Sequence, residues 1–430
     1  MPFEVRADLG DILGFRSTLL LGKYLGFPIK HSAISQDFGF IIERVQSRLA
    51  EWKANLLSFA GRLVLTQAVT TTIPNYAMQC IALPAKILNS IDRLSHNFLW
   101  GSSKSKKRLH LVSWKKIAKP KKDGGLGNQA AKAKNVANLA KLNWRLHTEP
   151  SSLWARVLSQ KYYSSRRLSN ARSFMSCSTT WSAIRKGESV FKKGAKWVVG
   201  KDIKLSFWFD KWLDKGPLRS LIAGPLNRGE EQIALKDVFG FSGWTWSVCL
   251  FSFPDKLILE IKATPISFYA CNVDCITWSS SPSGIFELKE VYKLASLDEE
   301  GHYICCFDGD GIWKASTIPK IKCFVWQCLY KSIPVSTVLA ARGMDGLESI
   351  LHVLRDCHVA RNLWTSLSPL MAEFIFFGLN SLEWLRQNCC NFNTSLNLDI
   401  RWGIIFCFGI RTLWLNRNVW CLDMRMGSEI

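Results

Sequence analysis

His352 and Cys357 stand five residues apart in HVLRDCHVARNLW, with Trp364 seven residues beyond the cysteine. An imidazole and a thiolate are both good zinc ligands, and a structural zinc site needs four such groups in a tetrahedron. His358 follows directly and still leaves the set short. The nearest upstream cysteines, Cys323 and Cys328 in CFVWQC, fall at i and i+5 of an expected helix. That offset rotates them by about 140° in a 3.6-residue helix, so their thiols diverge across its surface. His352 and Cys357 are therefore expected not to bind zinc, and no cofactor is expected.

Other chemistry finds little support. Seven scattered histidines among many serines give no nucleophile elbow of the G-x-S-x-G kind, so no catalytic residue and no small-molecule substrate is indicated. DGGLGN (Asp123 to Asn128) precedes a helix, and a helix start can offer free N–H groups to a phosphate. It lacks the GK[ST] ending of a phosphate-binding loop, so an ordinary turn is expected.

Charge is the informative signal. The chain carries +22, yet residues 101–204 alone hold 25 Lys and Arg against 4 Asp and Glu, while the remainder is close to balance at 31 against 30. Concentrated positive charge attracts a polyanion, because neutralised phosphates release condensed counterions. The expected partner is RNA or DNA, bound without sequence preference. The candidate contacts are Lys104, Lys106, Lys107, Arg108, Lys115, Lys116, Lys119, Lys121 and Lys122, then Arg166, Arg167, Arg172, Arg185, Lys186, Lys192 and Lys193. Trp114 lies among them and could stack on an unpaired base.

These residues need a scaffold, and 430 residues with 48% apolar content can supply one. Ile41, Ile42, Val45, Leu49, Trp52, Leu56 and Leu57 share one helical face. Ser58 and Gly61 should break it before a second helix, which Pro74 ends. A third helix is expected over 86–101, and a fourth over 128–146 with Asn128 as its cap. KWVVGKDIKLSFWFDKWL (196–213) alternates around a GKD turn and predicts a β-hairpin. Residues 276–296 predict strand, Pro-Ser-Gly turn, strand and helix. PKIKCFVWQCLYKSIP and the run 402–422 predict buried helices. The fold class is mainly α with small β elements (α+β). The opening MPFEVRADLG has no secretory pattern, and WGIIFCFGIRTLWL is too short and too interrupted to span a bilayer. With 14 scattered cysteines the chain reads as intracellular, nuclear or cytoplasmic, and not membrane-bound.

KYLGFPI, LLSFAGRLVLTQAV, IPNYAMQ, NFLWG, WKKIAKPKKDGGLG, NLAKLNWRL, LWARVLSQKY, FWFDKW, WSSSPSGIFELKEVY and PKIKCFVWQCLYKSIP occur in this order. Together they resemble the plant LINE-type, non-LTR retrotransposon reverse transcriptases, over nearly the whole chain. The resemblance implies a post-palm and thumb-like helical region (1–100), a basic connection region with a hairpin (101–215) and a linker (216–265). It further implies a degenerate zinc-binding-like domain (266–370) and a C-terminal helical segment (371–430) that precedes an absent ribonuclease H domain. The family's zinc segment reads C-x-x-C, an acidic stretch, then H-x4-C and a tryptophan. Glu348, His352, Cys357 and Trp364 match in register, whereas ARGMDGLE (341–348) lacks the first ligand pair. The family's polymerase motif ends in two adjacent aspartates that hold metal ions, and no Asp-Asp pair occurs here. A non-catalytic, truncated, nucleic-acid-binding fragment is the expected identity. The alternatives are a decayed product without selected activity and a thumb piece that works with a separate palm.

Overall fold

The computed structural model describes residues 12, 14, 23–24, 27–28, 35–103, 106–162, 178–200, 203, 205–240, 243–266, 274–300, 309–335, 338, 348–367, 373–394 and 399–426. The longer elements are α1 (Gly39–Arg48), α2 (Phe59–Thr72), α3 (Ala85–Trp100), α4 (Ala131–Thr148), α5 (Thr179–Gly194), β1 (Ala195–Val198), β2 (Cys275–Trp278), α6 (Leu288–Glu300), α7 (Pro319–Leu329), α8 (His358–Leu367), α9 (Ser381–Cys389) and α10 (Trp402–Met426). The chain is mainly helical, and its sheets are two-stranded. It divides into two compact units built from interleaved segments. The first takes Met1–Phe40, Pro74–Leu88 and Lys132–Gly301; the second takes Ile41–Ile73, Asn89–Ala131 and His302–Ile430.

In the second unit, α1 buries Ile41 and Val45, and the chain breaks at Ala50 before a short helix, Glu51–Leu56. Ser58 caps α2, its Oγ accepting from the Gly61 N–H at 3.3 Å. α3 ends at Gly101 in the left-handed region (φ +70°). The Gly101 N–H reaches Phe98 O and the Ser102 N–H reaches Asn97 O, which satisfies the last carbonyls of the helix. The core gathers Phe324, Val325 and Trp326 of α7, Trp364 of α8, Trp384 of α9, and Phe406, Ile410 and Leu413 of α10. Phe406 stacks on Trp364 at 5.2 Å and meets Trp384 edge-on at 4.8 Å. A Cβ on Gly409 would come 2.6 Å from the Trp364 ring, so α10 can pack here only with glycine.

In the first unit, α4 and α5 approach closely because Gly187 has no side chain: a Cβ there would lie 2.4 Å from the backbone of Leu139 and Ala140. Asn143 of α4 donates to Ile184 O of α5 at 2.7 Å. A second core holds Phe207, Trp208, Trp212, Leu218, Leu235, Val238 and Ile261. Of residues 216–265, expected as a linker, Leu218, Ile233, Leu235, Val238, Cys249, Leu257 and Ile261 are buried in this core.

Three other local expectations are corrected. Among the described residues the 196–213 run forms no hairpin: β1 pairs antiparallel with β2, Ala195 opposite Trp278 and Val198 opposite Cys275. The Asp274 carboxylate accepts from the N–H groups of Gly200 (2.8 Å) and Ile203 (3.2 Å). The following stretch bonds to 233–236 instead, through Phe207 N to Ile233 O and Leu235 N to Leu205 O. Alternation marks a strand without naming its partner. The strand expected after the Pro-Ser-Gly turn is likewise absent. Gly284 closes the turn onto Trp278, and Ile285 beyond it is 64% exposed with nothing to pair against. The third correction concerns Asn128. α4 begins at Ala131, whose N–H donates to the Asp92 carboxylate at 3.0 and 3.3 Å. A carboxylate distant in sequence satisfies the helix start, and the Asn128 side chain is buried with both its amide atoms unpartnered.

Candidate nucleic-acid interface

The basic segment after α3 is shaped by short-range bonds. Ser102 Oγ accepts from the Arg108 N–H and contacts His110 Nε2, both at 3.0 Å, while Ser103 Oγ accepts from the Lys106 N–H at 2.8 Å. These bonds hold Ser102 and Ser103 against 106–110, where Lys106 and Lys107 are exposed. Val112 and Ile117 are buried and anchor the next turn of chain, Trp114–Ile117. Lys106, Lys107, Arg108, Lys115, Lys116, Lys121 and Lys122 are exposed, and Lys119 is half-buried. Among the described residues those seven exposed cations have no carboxylate partner. Lys104 lies outside the described residues.

The glycine turn that closes this segment has no N–H left for a phosphate. The N–H groups of Gly124, Gly125, Leu126 and Gly127 donate to Lys121 O, Pro120 O, Ile117 O and Lys119 O at 3.0 to 3.1 Å. A Cβ on Gly125 would sit 2.0 Å from Lys119 O. The turn docks on α7, where Trp326 Nε1 donates to Gly124 O at 2.7 Å. Gly309 N donates to Lys122 O at 3.0 Å, and Lys121 Nζ lies 4.8 Å from the Trp313 ring. Lys116 Nζ lies 5.5 Å from the Tyr330 ring. The lysines thus ride on an aromatic shelf that nothing in their own segment announces.

Trp114 is half-buried and packs 5.7 Å from His96, whose ring lies 4.3 Å from His110. Burial, with a smaller contribution from His110, pushes His96 down to about 4, so it is neutral, and its Nε2–H donates to Val112 O at 3.0 Å. The two histidines support the loop. Arg62 was not foreseen either: it donates to Leu99 O and Ala54 O, each at 2.9 Å, and burial, then Arg108, lowers its pKa.

The remaining candidate cations belong to the first unit. Arg185, Lys186, Lys192 and Lys193 lie exposed on α5, where Lys192 pairs with Glu188 at 2.6 Å. Arg166, Arg167 and Arg172 lie outside the described residues. The segments 106–122 and 185–193 therefore belong to different units.

His352 is exposed and opens a π-helical turn, His352–Asp356, which ends at Cys357. The Cys357 thiol accepts from the Ala360 N–H at 3.4 Å and donates to Val353 O at 3.8 Å, so the sulfur caps α8. The neighbouring acids are engaged as well. Glu348 receives Arg417 (Nε at 3.0 Å), and Asp356 receives Arg355 at 2.7 Å. Burial pushes the Cys323 thiol up to about 12 and that of Cys328 higher still, which disfavours the thiolates that zinc requires. Among the described residues no three His, Cys, Asp or Glu side chains converge. The run 339–347, where the first ligand pair was expected, lies outside the described residues and contains no cysteine or histidine. Among the described residues this donor set does not fit a four-ligand zinc site.

The family described as zinc-binding in reverse transcriptase matches residues 286–364, which include α7, the aromatic shelf and the His352–Cys357 turn. The chain is 34% identical over 395 residues to an Arabidopsis thaliana protein named "Putative ribonuclease H protein", covering 88% of this chain and 63% of that one. It is also 30% identical over 151 residues to an uncharacterised mitochondrial protein of Arabidopsis thaliana, covering 35% of this chain and 98% of that protein. The chain belongs to the plant retrotransposon-derived, reverse-transcriptase-like proteins. It spans 63% of the length of the first relative. Among the described residues no helix is long and apolar enough to cross a membrane.

Proposed function

We propose that this chain is a non-catalytic, LINE-derived protein that binds RNA or DNA without sequence preference, in the nucleus or cytoplasm, through the exposed cations of 106–122. The carrying observation is that seven lysines and arginines of one segment stand in solvent with no carboxylate partner among the described residues. Cations placed in this way can displace the counterions condensed on a phosphate backbone. The glycine turn and its bond to Trp326 fix the segment on a rigid core, which lowers the entropy lost on binding. The absence of any Asp-Asp pair in the 430 residues supports the non-catalytic part of the reading. A filter-binding titration with single-stranded RNA at low and moderate salt tests it. The expected result is tight binding that weakens steeply with salt; no binding at low salt, or binding indifferent to salt, overturns it.

A further inference from the structure

The first unit contains an open cavity of about 810 Å³, lined in part by Lys192, Lys193, Lys211 and Lys215, with Phe209 and His147 among its walls. This is within the range of roughly 300–1,000 Å³ typical of sites that hold a small organic ligand. Its chemistry is mixed. In FWFDKW the rings of Phe207, Trp208 and Trp212 are at most 1% exposed, whereas Phe209 is 51% exposed. Phe209 makes no ring contact among the described residues, and its backbone is held by an N–H bond to Ser206 Oγ at 3.2 Å. Phe209 is thus a solvent-exposed aromatic ring in the lining of a lysine-rich hollow. Elsewhere in the lining His147 lies parallel to Phe191, with 1° between planes at 5.2 Å, and Trp197 closes edge-on at 5.8 Å.

The cations are placed by the fold and not by one another. Lys192 and Lys193 end α5, and Lys211 Nζ donates to Lys193 O at 2.7 Å, which draws the two chain segments together. Lys192 shares Glu188 and Lys215 shares Glu260, both as solvent-accessible pairs with the lysines 72% and 65% exposed. Such exposed pairs contribute little and yield readily to a phosphate. Asp210, the other acid on the wall, is turned to the backbone, its carboxylate accepting from the Ser206 N–H at 2.7 Å.

An exposed aromatic face beside clustered ammonium groups matches a stacked nucleobase with its phosphate. We propose that this cavity receives one nucleotide of a single-stranded nucleic acid, with the base on Phe209 and the phosphate on Lys192 and Lys193. The inference rests on the nucleic-acid reading given above, but uses different residues in the other unit.

Photo-crosslinking of the full chain tests it, with a twelve-nucleotide RNA containing 4-thiouridine in one arm and 4-thiouridine monophosphate in the other. Crosslinks are expected on the peptide that carries Phe209. Crosslinking by both probes assigns a free-nucleotide site, and by the oligomer alone a strand subsite. Phe209→Ala should weaken single-stranded RNA binding about 10-fold while duplex RNA is unaffected, and Phe209→Tyr should restore it. Because Phe209 is exposed, an unchanged melting curve will show that the variant is folded. No crosslink within 205–216 by either probe, or a folded Phe209→Ala chain that binds like wild type, overturns the proposal. If substituting Lys115, Lys116, Lys121 and Lys122 with glutamine leaves RNA affinity unchanged while the oligomer still crosslinks at Phe209, the interface at 106–122 fails and the cavity stands.

Discussion

Trp326 and Gly124, 202 positions apart, are joined by a single buried hydrogen bond of 2.7 Å from the indole N–H to the glycine carbonyl. Through it the basic segment is fastened to the segment that matches the reverse-transcriptase zinc-binding family. Trp326→Phe keeps most of the ring volume but leaves the Gly124 carbonyl buried and unbonded. The expected loss is about 1–3 kcal/mol, read as a lower denaturation midpoint. Single-stranded RNA binding should weaken with it as the lysine loop loosens.

Gly125→Ala should act on the same turn by steric force. The added Cβ would meet Lys119 O at 2.0 Å, and backbone cannot yield as a side chain can. Overpacking of this kind costs about 1–3 kcal/mol, and thermal melting of the variant measures it.

Cys357 is predicted to behave as a helix cap and not as a metal ligand. Serine is a better cap than cysteine, so Cys357→Ser should leave the melting temperature unchanged or slightly raised. Cys357→Ala should cost about 1 kcal/mol. A strong chelator should change neither value. A large drop with chelator, or collapse of the serine variant, would show that the sulfur holds a metal.

His96 supplies a pH signature. Its folded-state pKa of about 4 lies below the ordinary histidine value of 6.5, because burial and His110 oppose the charged ring. The unfolded chain takes up this proton first as pH falls. The contribution is therefore fully present above about pH 6.5 and is lost progressively down to about pH 4. Melting temperatures across that window should fall more steeply for wild type than for His96→Gln.

Thiol reactivity should follow burial. Cys275 is exposed at the end of β2, whereas Cys323, Cys328 and Cys389 are buried with raised pKa values. Brief alkylation of the native chain followed by mass spectrometry should label Cys275 and spare the other three until denaturant is added.

The helices of this protein are legible because their signals are local. Ser58 before α2, Pro74 after it and the apolar stripe of α3 all act within one or two turns. What the sequence conceals is long-range. β1 finds its partner some 80 residues away, and α4 is capped by Asp92 and not by the adjacent Asn128. The same division applies to the candidate interface. The lysines of 106–122 can be read directly from composition, because charge needs no partner to be visible. Trp313, Trp326 and Tyr330, on which those lysines and their turn rest, look in sequence like any core aromatics, and Phe209 is marked out only by the burial of its three neighbours.

The central claim is that the exposed cations at 106–122 carry nucleic-acid binding, and the salt dependence of one variant tests it most directly. Lys115, Lys116, Lys121 and Lys122 are exposed and are not foundations of the core. Substituting all four with glutamine should leave folding intact. If each contacts a single-stranded phosphate backbone, the slope of log affinity against log salt should become shallower by about 3. Binding at low salt should fall in parallel. A quadruple variant that binds with the affinity and slope of the wild-type chain would contradict the account.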